Sequence, residues 1–225
     1  RVDLWSRLYL ALAVLAVCQA VLMLLQTYEH RRIYQRRARR QPTARFNPRV
    51  ELIIPCKGVD PEFNSLVKQL FRQDYPAYGV TFVVESTDDP AWQNLEPLLA
   101  SAQRVPVRLL AAGRTRVCGQ KIHNLLAGTA SLDPSVDVIA FLDADVWVTP
   151  KWLRLLVEPL QNTDVGAVTG YRWFVPSRDD WPNALLSALN APVALVLGNH
   201  RWNAIWGGSW SVRRATFDRA GIREA

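Results

Sequence analysis

Two phosphate-binding signatures are missing from this chain. No GxGxxG follows its first β-like run, and no GxxxxGK[ST] occurs anywhere. That counts against a nicotinamide dehydrogenase and a P-loop NTPase. Cysteine is sparse: Cys18, Cys56 and Cys118 are far apart and form no CxxC pair. They look like free thiols of a reducing compartment, and suggest neither a disulfide framework nor a zinc site. There is no internal repeat, and no low-complexity tract apart from one Arg-rich segment. The 225 residues do not open with Met, and the last ones, Gly221 to Ala225, have no stop-like character. A fragment of a longer protein is the expectation.

What is present is apolar and aromatic. Hydrophobic residues make up 49% of the chain, enough for a substantial core, Trp occurs nine times, and the length suits one large domain or one domain plus an appendage. The net charge of +7 is local: residues 29 to 49 hold eight Arg and one Glu, so the rest is neutral.

Leu8 to Leu25 is an 18-residue apolar run with Gln19 as its one strongly polar member. Extended by Leu4 and Trp5, it is long enough for a bilayer core of roughly 30 Å. Trp5, Tyr9 and Tyr28 stand near its ends, where amphipathic rings prefer the interface. A signal peptide would carry its positive charge before the run, and here the Arg cluster follows it. Residues 1–30 therefore read as a transmembrane anchor, with a buried core helix as the alternative. Residues 31–48 read as a basic juxtamembrane linker, suited to anionic headgroups more than to nucleic acid. The positive-inside rule puts the remainder in the cytoplasm.

Beyond Pro48 the pattern alternates. Val50–Ile54, Val80–Val84, Val107–Ala111 and Val138–Leu142 read as strands. Glu62–Arg72, Trp92–Ala102, Gln120–Ala130 and Pro150–Leu160 read as helices, the last with Thr149 as its N-cap. This alternation argues for a largely parallel sheet covered on both faces. Ligands of such sheets bind beyond the strands' carboxyl ends. Polar clusters stand there: Cys56-Lys57-Gly58, Glu85 to Asp89, and Asp143-Ala144-Asp145.

Asp143 and Asp145 raise the main question. Two converging carboxylates repel, and a divalent cation removes the conflict. Carboxylate oxygens suit Mg²⁺ and Mn²⁺, often together with substrate phosphates. The competing reading is a solvated turn that caps the next helix. Asp88-Asp89-Pro90 is likewise an ordinary helix start when taken alone.

Lys57-Gly58-Val59-Asp60-Pro61, Asp88-Asp89-Pro90-Ala91, Lys121-Ile122-His123-Asn124-Leu125 and Asp143-Ala144-Asp145 occur in this order. In that order the chain resembles the ceramide glucosyltransferase-like branch of the family 2 glycosyltransferases, over about residues 48 to 220. The resemblance implies an α/β GT-A fold (Rossmann-like, mostly parallel, helices on both faces) over 49–225, truncated at its C-terminus. It implies a UDP-sugar donor, Mn²⁺ or Mg²⁺, and a lipid acceptor at the membrane. Carried over by position, Lys57, Glu85, Asp88, Asp89, Lys121 and Asp143 form the donor side. Asp143 and Asp145 hold the metal, and Gly207, Gly208 and Ser209 line the acceptor side.

The family's acidic pair with the general base, and its Q/RxxRW motif, do not occur in residues 210 to 225. The base is expected downstream of Ala225. Trp181 to Leu197 reads as a core helix or as an interfacial segment for a lipid. Trp202, Trp206 and Trp210 suit a sugar or lipid surface, and His200 could sit near the acceptor, though a lone His decides nothing. A processive polysaccharide synthase and a catalytically silent scaffold that keeps the donor fold are the alternatives.

Overall fold

The computed structural model describes residues 3–38, 46–99, 105–172, 178, 180–196 and 204–224. The chain forms two compact units, Arg1–Gln41 with Trp173–Ala204, and Pro42–Arg172 with Ile205–Ala225.

The first unit is helical. Helix α1 runs from Leu4 to Ala38. Its stretch Leu4–Glu29 is the one described helix long and apolar enough to cross a membrane, and none of its described side chains is buried within the protein. The segment expected as a linker thus begins as helix, and 39–45 lie outside the described residues. The same unit holds a second helix, Trp181–Val196. Asp180 caps it, accepting from the Asn183 N–H at 3.1 Å. Leu185, Leu186 and Leu189 are exposed. Over residues 181–190, whose side chains are described, none is buried.

The second unit is built on a six-stranded sheet. Strands β1 (Val50–Pro55), β2 (Tyr78–Val84), β3 (Val107–Ala111) and β4 (Val138–Leu142) are parallel, in the order β3-β2-β1-β4. Two antiparallel strands, β5 (Ala167–Thr169) and β6 (Ser209–Arg213), extend the sheet beyond β4 in the order β6-β5. The four parallel strands agree with the sequence pattern. The antiparallel pair was not legible, because β5 has three residues and β6 begins on Gly-Gly-Ser.

Strand β4 is an unbroken apolar run, and β1 and β2 are buried and largely apolar apart from Glu51 and Thr81, because helices cover both of their faces. Leu52, Ile54, Phe82 and Leu142 pack with Phe63, Leu66 and Leu70 of α2 (Phe63–Leu70), Leu95 of α3 (Pro90–Leu99) and Leu153 of α5 (Trp152–Val157). Helix α5 starts after Pro150, since the Trp152 N–H closes a turn onto the Thr149 carbonyl at 3.0 Å. On the other face, Ile53, Val83, Ile139, Phe141 and Val212 pack with Phe217, which lies on the short helix Arg214–Arg219. Helix α4 (Gln120–Ala130) also covers that face. Trp210 stacks on Phe141 at 4.2 Å between centroids, so its ring serves the sheet and not a lipid surface.

A polar contact is buried at the amino end of the sheet. Thr81 donates to Glu51 at 2.5 Å, and Arg108 reaches the same carboxylate oxygen at 3.4 Å. Glu51 is 8% exposed, and a buried carboxylate is tolerable because it is bonded on this scale.

Helix α4 approaches the sheet through Gly128. A Cβ there would stand 2.7 Å from Cγ2 of Ile53 and 3.2 Å from Cγ2 of Val83. Both are stiff β-branched side chains. Overpacking costs about 1–3 kcal/mol, and the better helix propensity of Ala returns about 1 kcal/mol. Gly128→Ala is therefore expected to be destabilising overall, seen as a lower thermal midpoint by circular dichroism.

Candidate active site at the carboxyl edge of the sheet

The chain winds from β1 through β2 to β3, then returns to place β4 on the other side of β1. The crevice beyond β1 and β4 is the switch point where open α/β sheets bind ligands. Every donor-side residue expected from the sequence lies in a loop or first helical turn at this edge.

After β1 the chain turns at Gly58, whose φ of +64° is the left-handed region that suits glycine. Its N–H donates to Oδ1 of Asp89 at 2.8 Å. The same oxygen accepts the Ala91 N–H at 2.8 Å, so Asp89 is the N-cap of α3 and Pro90 its first helical residue. Lys57 is exposed beside this turn. Asp88 is exposed, and its N–H meets the Ser86 hydroxyl at 3.3 Å. Glu85, half-buried after β2, faces the Arg114 guanidinium at 3.7 Å. Cys56 is buried. Burial first, and Asp89 second, push its thiol well above the usual range, so it remains a protonated core residue.

Helix α4 is pinned at its start. Buried Asn124 donates to the Val83 carbonyl at 3.3 Å and accepts from Gln120 at 2.8 Å. His123 contacts the Ala112 carbonyl at 3.0 Å. These bonds account for His and Asn in Lys121-Ile122-His123-Asn124: they fix the first turn, and Lys121 projects from it. Its Nζ lies 2.6 Å from Oδ1 of Asp143.

Asp143 is tied to the far strand pair, since its N–H donates to the Gly208 carbonyl at 3.0 Å. A Cβ on Gly208 would be 3.7 Å from Oδ2 of Asp143, so this small residue does run beside the carboxylates. Gly207 is exposed next to it. The Ser209 hydroxyl instead accepts from the Trp152 indole at 3.2 Å, a packing role. Asp145 is met by a residue that carries no motif. Nη1 of Arg172 lies 2.9 Å from both of its oxygens.

The carboxylates fit a divalent cation by donor chemistry, as hard oxygens at one strand end. No cluster of three or more His, Cys, Asp or Glu suited to a metal occurs among the described residues. Any ion here would take its remaining ligands from phosphate or water. Arg213 and Arg214 are committed elsewhere, to the carbonyls of Leu160, Val165 and Asn162 and of Asp133 respectively. Asp218 is paired with Arg214 and Arg223. His200 and Trp202 lie outside the described residues. Trp206 is 39% exposed and stands 6.5 Å from the Tyr171 ring.

Asp89 is expected to matter for stability in a way Asp88 does not. Asp89→Ala should cost about 1–2 kcal/mol through the lost cap. Asp88→Ala should stay within about 0.5 kcal/mol. Asp89→Asn, which keeps an acceptor oxygen, should recover most of the loss in the same thermal melts.

A family model described as glycosyl transferase family 21 matches residues 8–223. The ceramide glucosyltransferase of Komagataella phaffii is 28% identical over 159 residues, covering 68% of this chain and 31% of that protein. The ceramide glucosyltransferase of Gibberella zeae is 26% identical over 129 residues, covering 53% and 24%. The chain thus spans under a third of the length of these curated relatives. A mannosyltransferase from Pyrobaculum calidifontis, solved with GDP-Man and Mn²⁺, matches with a TM-score of 0.62 at 19% identity. The match covers 94% of this chain and 57% of the other. That likeness shows the fold, which is the GT-A fold expected from the sequence. The relatives lie in the branch that the motifs resemble, and the matching family model bears the number 21 where the sequence resemblance was framed as family 2.

Proposed function

The chain belongs to glycosyl transferase family 21, and on that footing we propose that it moves a hexose from a UDP-sugar to a lipid acceptor such as ceramide. The observation that carries this is the pair Asp143 and Asp145 at the β1/β4 crevice, with the Lys121 ammonium at 2.6 Å. Phosphate-recognising cations and metal-suited carboxylates share one edge, which is what a nucleoside diphosphate leaving group needs.

In this reading Asp143 and Asp145 hold Mn²⁺ or Mg²⁺, which would supply Lewis-acid neutralisation of the diphosphate. A Mn²⁺-bound relative of the fold supports that choice. Lys121 orients the diphosphate and offsets the charge that develops as the sugar leaves. Lys57, Glu85 and Asp88 face the nucleotide side, and Asp89 shapes their loops by its two N–H bonds. Gly207 and Gly208 leave room for the acceptor beside the carboxylates, with Ser209 anchoring the segment from behind. The acceptor hydroxyl must lose its proton to a general base. Asp218 is held by two arginines, and the reading leaves that role to sequence downstream of Ala225.

A lipid acceptor is supported by the first helical unit. Residues 1–30 are proposed as the membrane anchor, 31–48 as the basic juxtamembrane stretch and 49–225 as the GT-A domain, on the cytoplasmic side. Helix α6 (Trp181–Val196) is too short to span a bilayer at 1.5 Å per residue and carries exposed Trp181, Leu185, Leu186 and Leu189. It is suited to lie in the interface, where a lipid substrate would be met. The ceramide glucosyltransferase relatives make ceramide the first acceptor to test.

Calorimetric titration of UDP into the detergent-solubilised chain checks the donor site. Binding is expected with Mn²⁺ and not without it, and is expected to vanish in the Asp143→Ala/Asp145→Ala double variant. Failure of a folded chain to bind would return the two carboxylates to a capped turn.

A further inference from the structure

Arg172 stands at the crevice without any sequence signature to mark it. Its position is nonetheless tightly set. The Gly170 N–H donates to the Ser209 carbonyl at 2.7 Å. A Cβ on Gly170 would come within 2.9 Å of the Ser209 hydroxyl, so only glycine lets the chain pass this close. The Trp206 N–H donates to the Thr169 hydroxyl at 2.8 Å, and that hydroxyl also lies 3.1 Å from the Trp206 carbonyl. Thr169 and Gly170, the latter two residues before Arg172, are therefore bonded to Trp206 and Ser209, and β6 in turn pairs with β4 up to Leu142. This bonding brings Arg172 to Asp145 across two strand pairings.

The contact has a particular form. One guanidinium nitrogen spans both oxygens of Asp145 at 2.9 Å, while Lys121 holds Oδ1 of Asp143 at 2.6 Å. A divalent cation that takes both oxygens of Asp145 has to displace Arg172, whereas Lys121 engages a single oxygen of Asp143 and can stay. Charge does not oppose the exchange. Two acids and two bases sum to zero before it. Afterwards two carboxylates with a divalent cation sum to zero, and so do two basic side chains with a doubly charged diphosphate. The Asp145 side chain is 54% exposed and that of Arg172 33%, so the pair is weakly held. A guanidinium released beside a diphosphate finds a partner of matching geometry.

We propose that Arg172 is a donor-binding residue that exchanges partners. It holds Asp145 when the crevice is empty, and turns to the donor's diphosphate when a divalent cation takes the carboxylates. The inference rests on the donor reading above and adds to it a residue and a sequence of events. Arg172 has two opposing effects: it competes with a metal that arrives alone, and it assists a metal that arrives with a diphosphate.

Two measurements on the full chain in detergent separate these effects. Mn²⁺ binding alone is read from the free-ion electron paramagnetic resonance signal, and UDP binding in saturating Mn²⁺ by calorimetry. In Arg172→Met, Mn²⁺ alone is expected to bind several-fold tighter, while UDP binds about tenfold more weakly. Arg172→Lys keeps the charge but not the fork, and is expected to fall between wild type and Arg172→Met for UDP. Unchanged UDP affinity in Arg172→Met, or a shift of both affinities in the same direction, would overturn the exchange while leaving the donor site intact. Wild-type protein that binds no UDP with Mn²⁺ would instead overturn the donor reading, and the exchange with it. Arg172→Lys, the milder substitution, decides the matter should Arg172→Met melt at a lower temperature than wild type.

Discussion

Two carboxylates one residue apart at the end of a buried strand repel each other unless positive charge stands beside them. Much of the sheet domain is arranged around that need. Helix α4 is pinned by Asn124 and His123 to the ends of β2 and β3, which sets Lys121 against Asp143. The segment leading to Arg172 is bonded through Thr169 and Gly170 to Trp206 and Ser209, which sets Arg172 against Asp145. Neither cation comes from the strand that carries the acids. The site is therefore assembled by the fold and not by a local run of sequence.

The opposite end of the same sheet uses similar side chains for a different end. Glu51, Thr81 and Arg108 also join a carboxylate to a guanidinium across neighbouring strands. There the acid is 8% exposed and bonded by a hydroxyl as well. A Cβ on Gly79 would come within 2.5 Å of its other oxygen. Nothing can enter without breaking the packing, so that cluster is structural. At the carboxyl edge Asp145 is more than half exposed, and its partner can be replaced. Burial and access, more than residue type, separate the two.

The parallel half of the sheet was legible because its strands are short runs dominated by apolar residues, with β1, β2 and β4 buried. Strands Val107–Ala111 and Val138–Leu142 and helix Gln120–Ala130 match their expected bounds. The antiparallel half was not, since its pairing is long-range and its strands are short. Arg172 went unseen for the same reason: its partner lies 27 residues away, with no spacing rule to join them. The expected role of Trp210 failed because a Trp in an alternating strand faces a neighbour's ring as readily as a ligand, and Phe141 is that neighbour. The motif Lys121-Ile122-His123-Asn124 was visible as a string. Its division into one projecting cation and two pins required the backbone carbonyls that it meets.

One oxygen of Asp89 accepts N–H groups from two segments that are 33 residues apart in the chain, at Gly58 and Ala91. Unwinding the first turn of α3 releases the Gly58 loop, and loosening that loop exposes the helix start. The two are therefore expected to open together, with linked protection of the Gly58 and Ala91 amides against solvent exchange. A nucleotide that ordered one loop would thereby quiet the other without touching it.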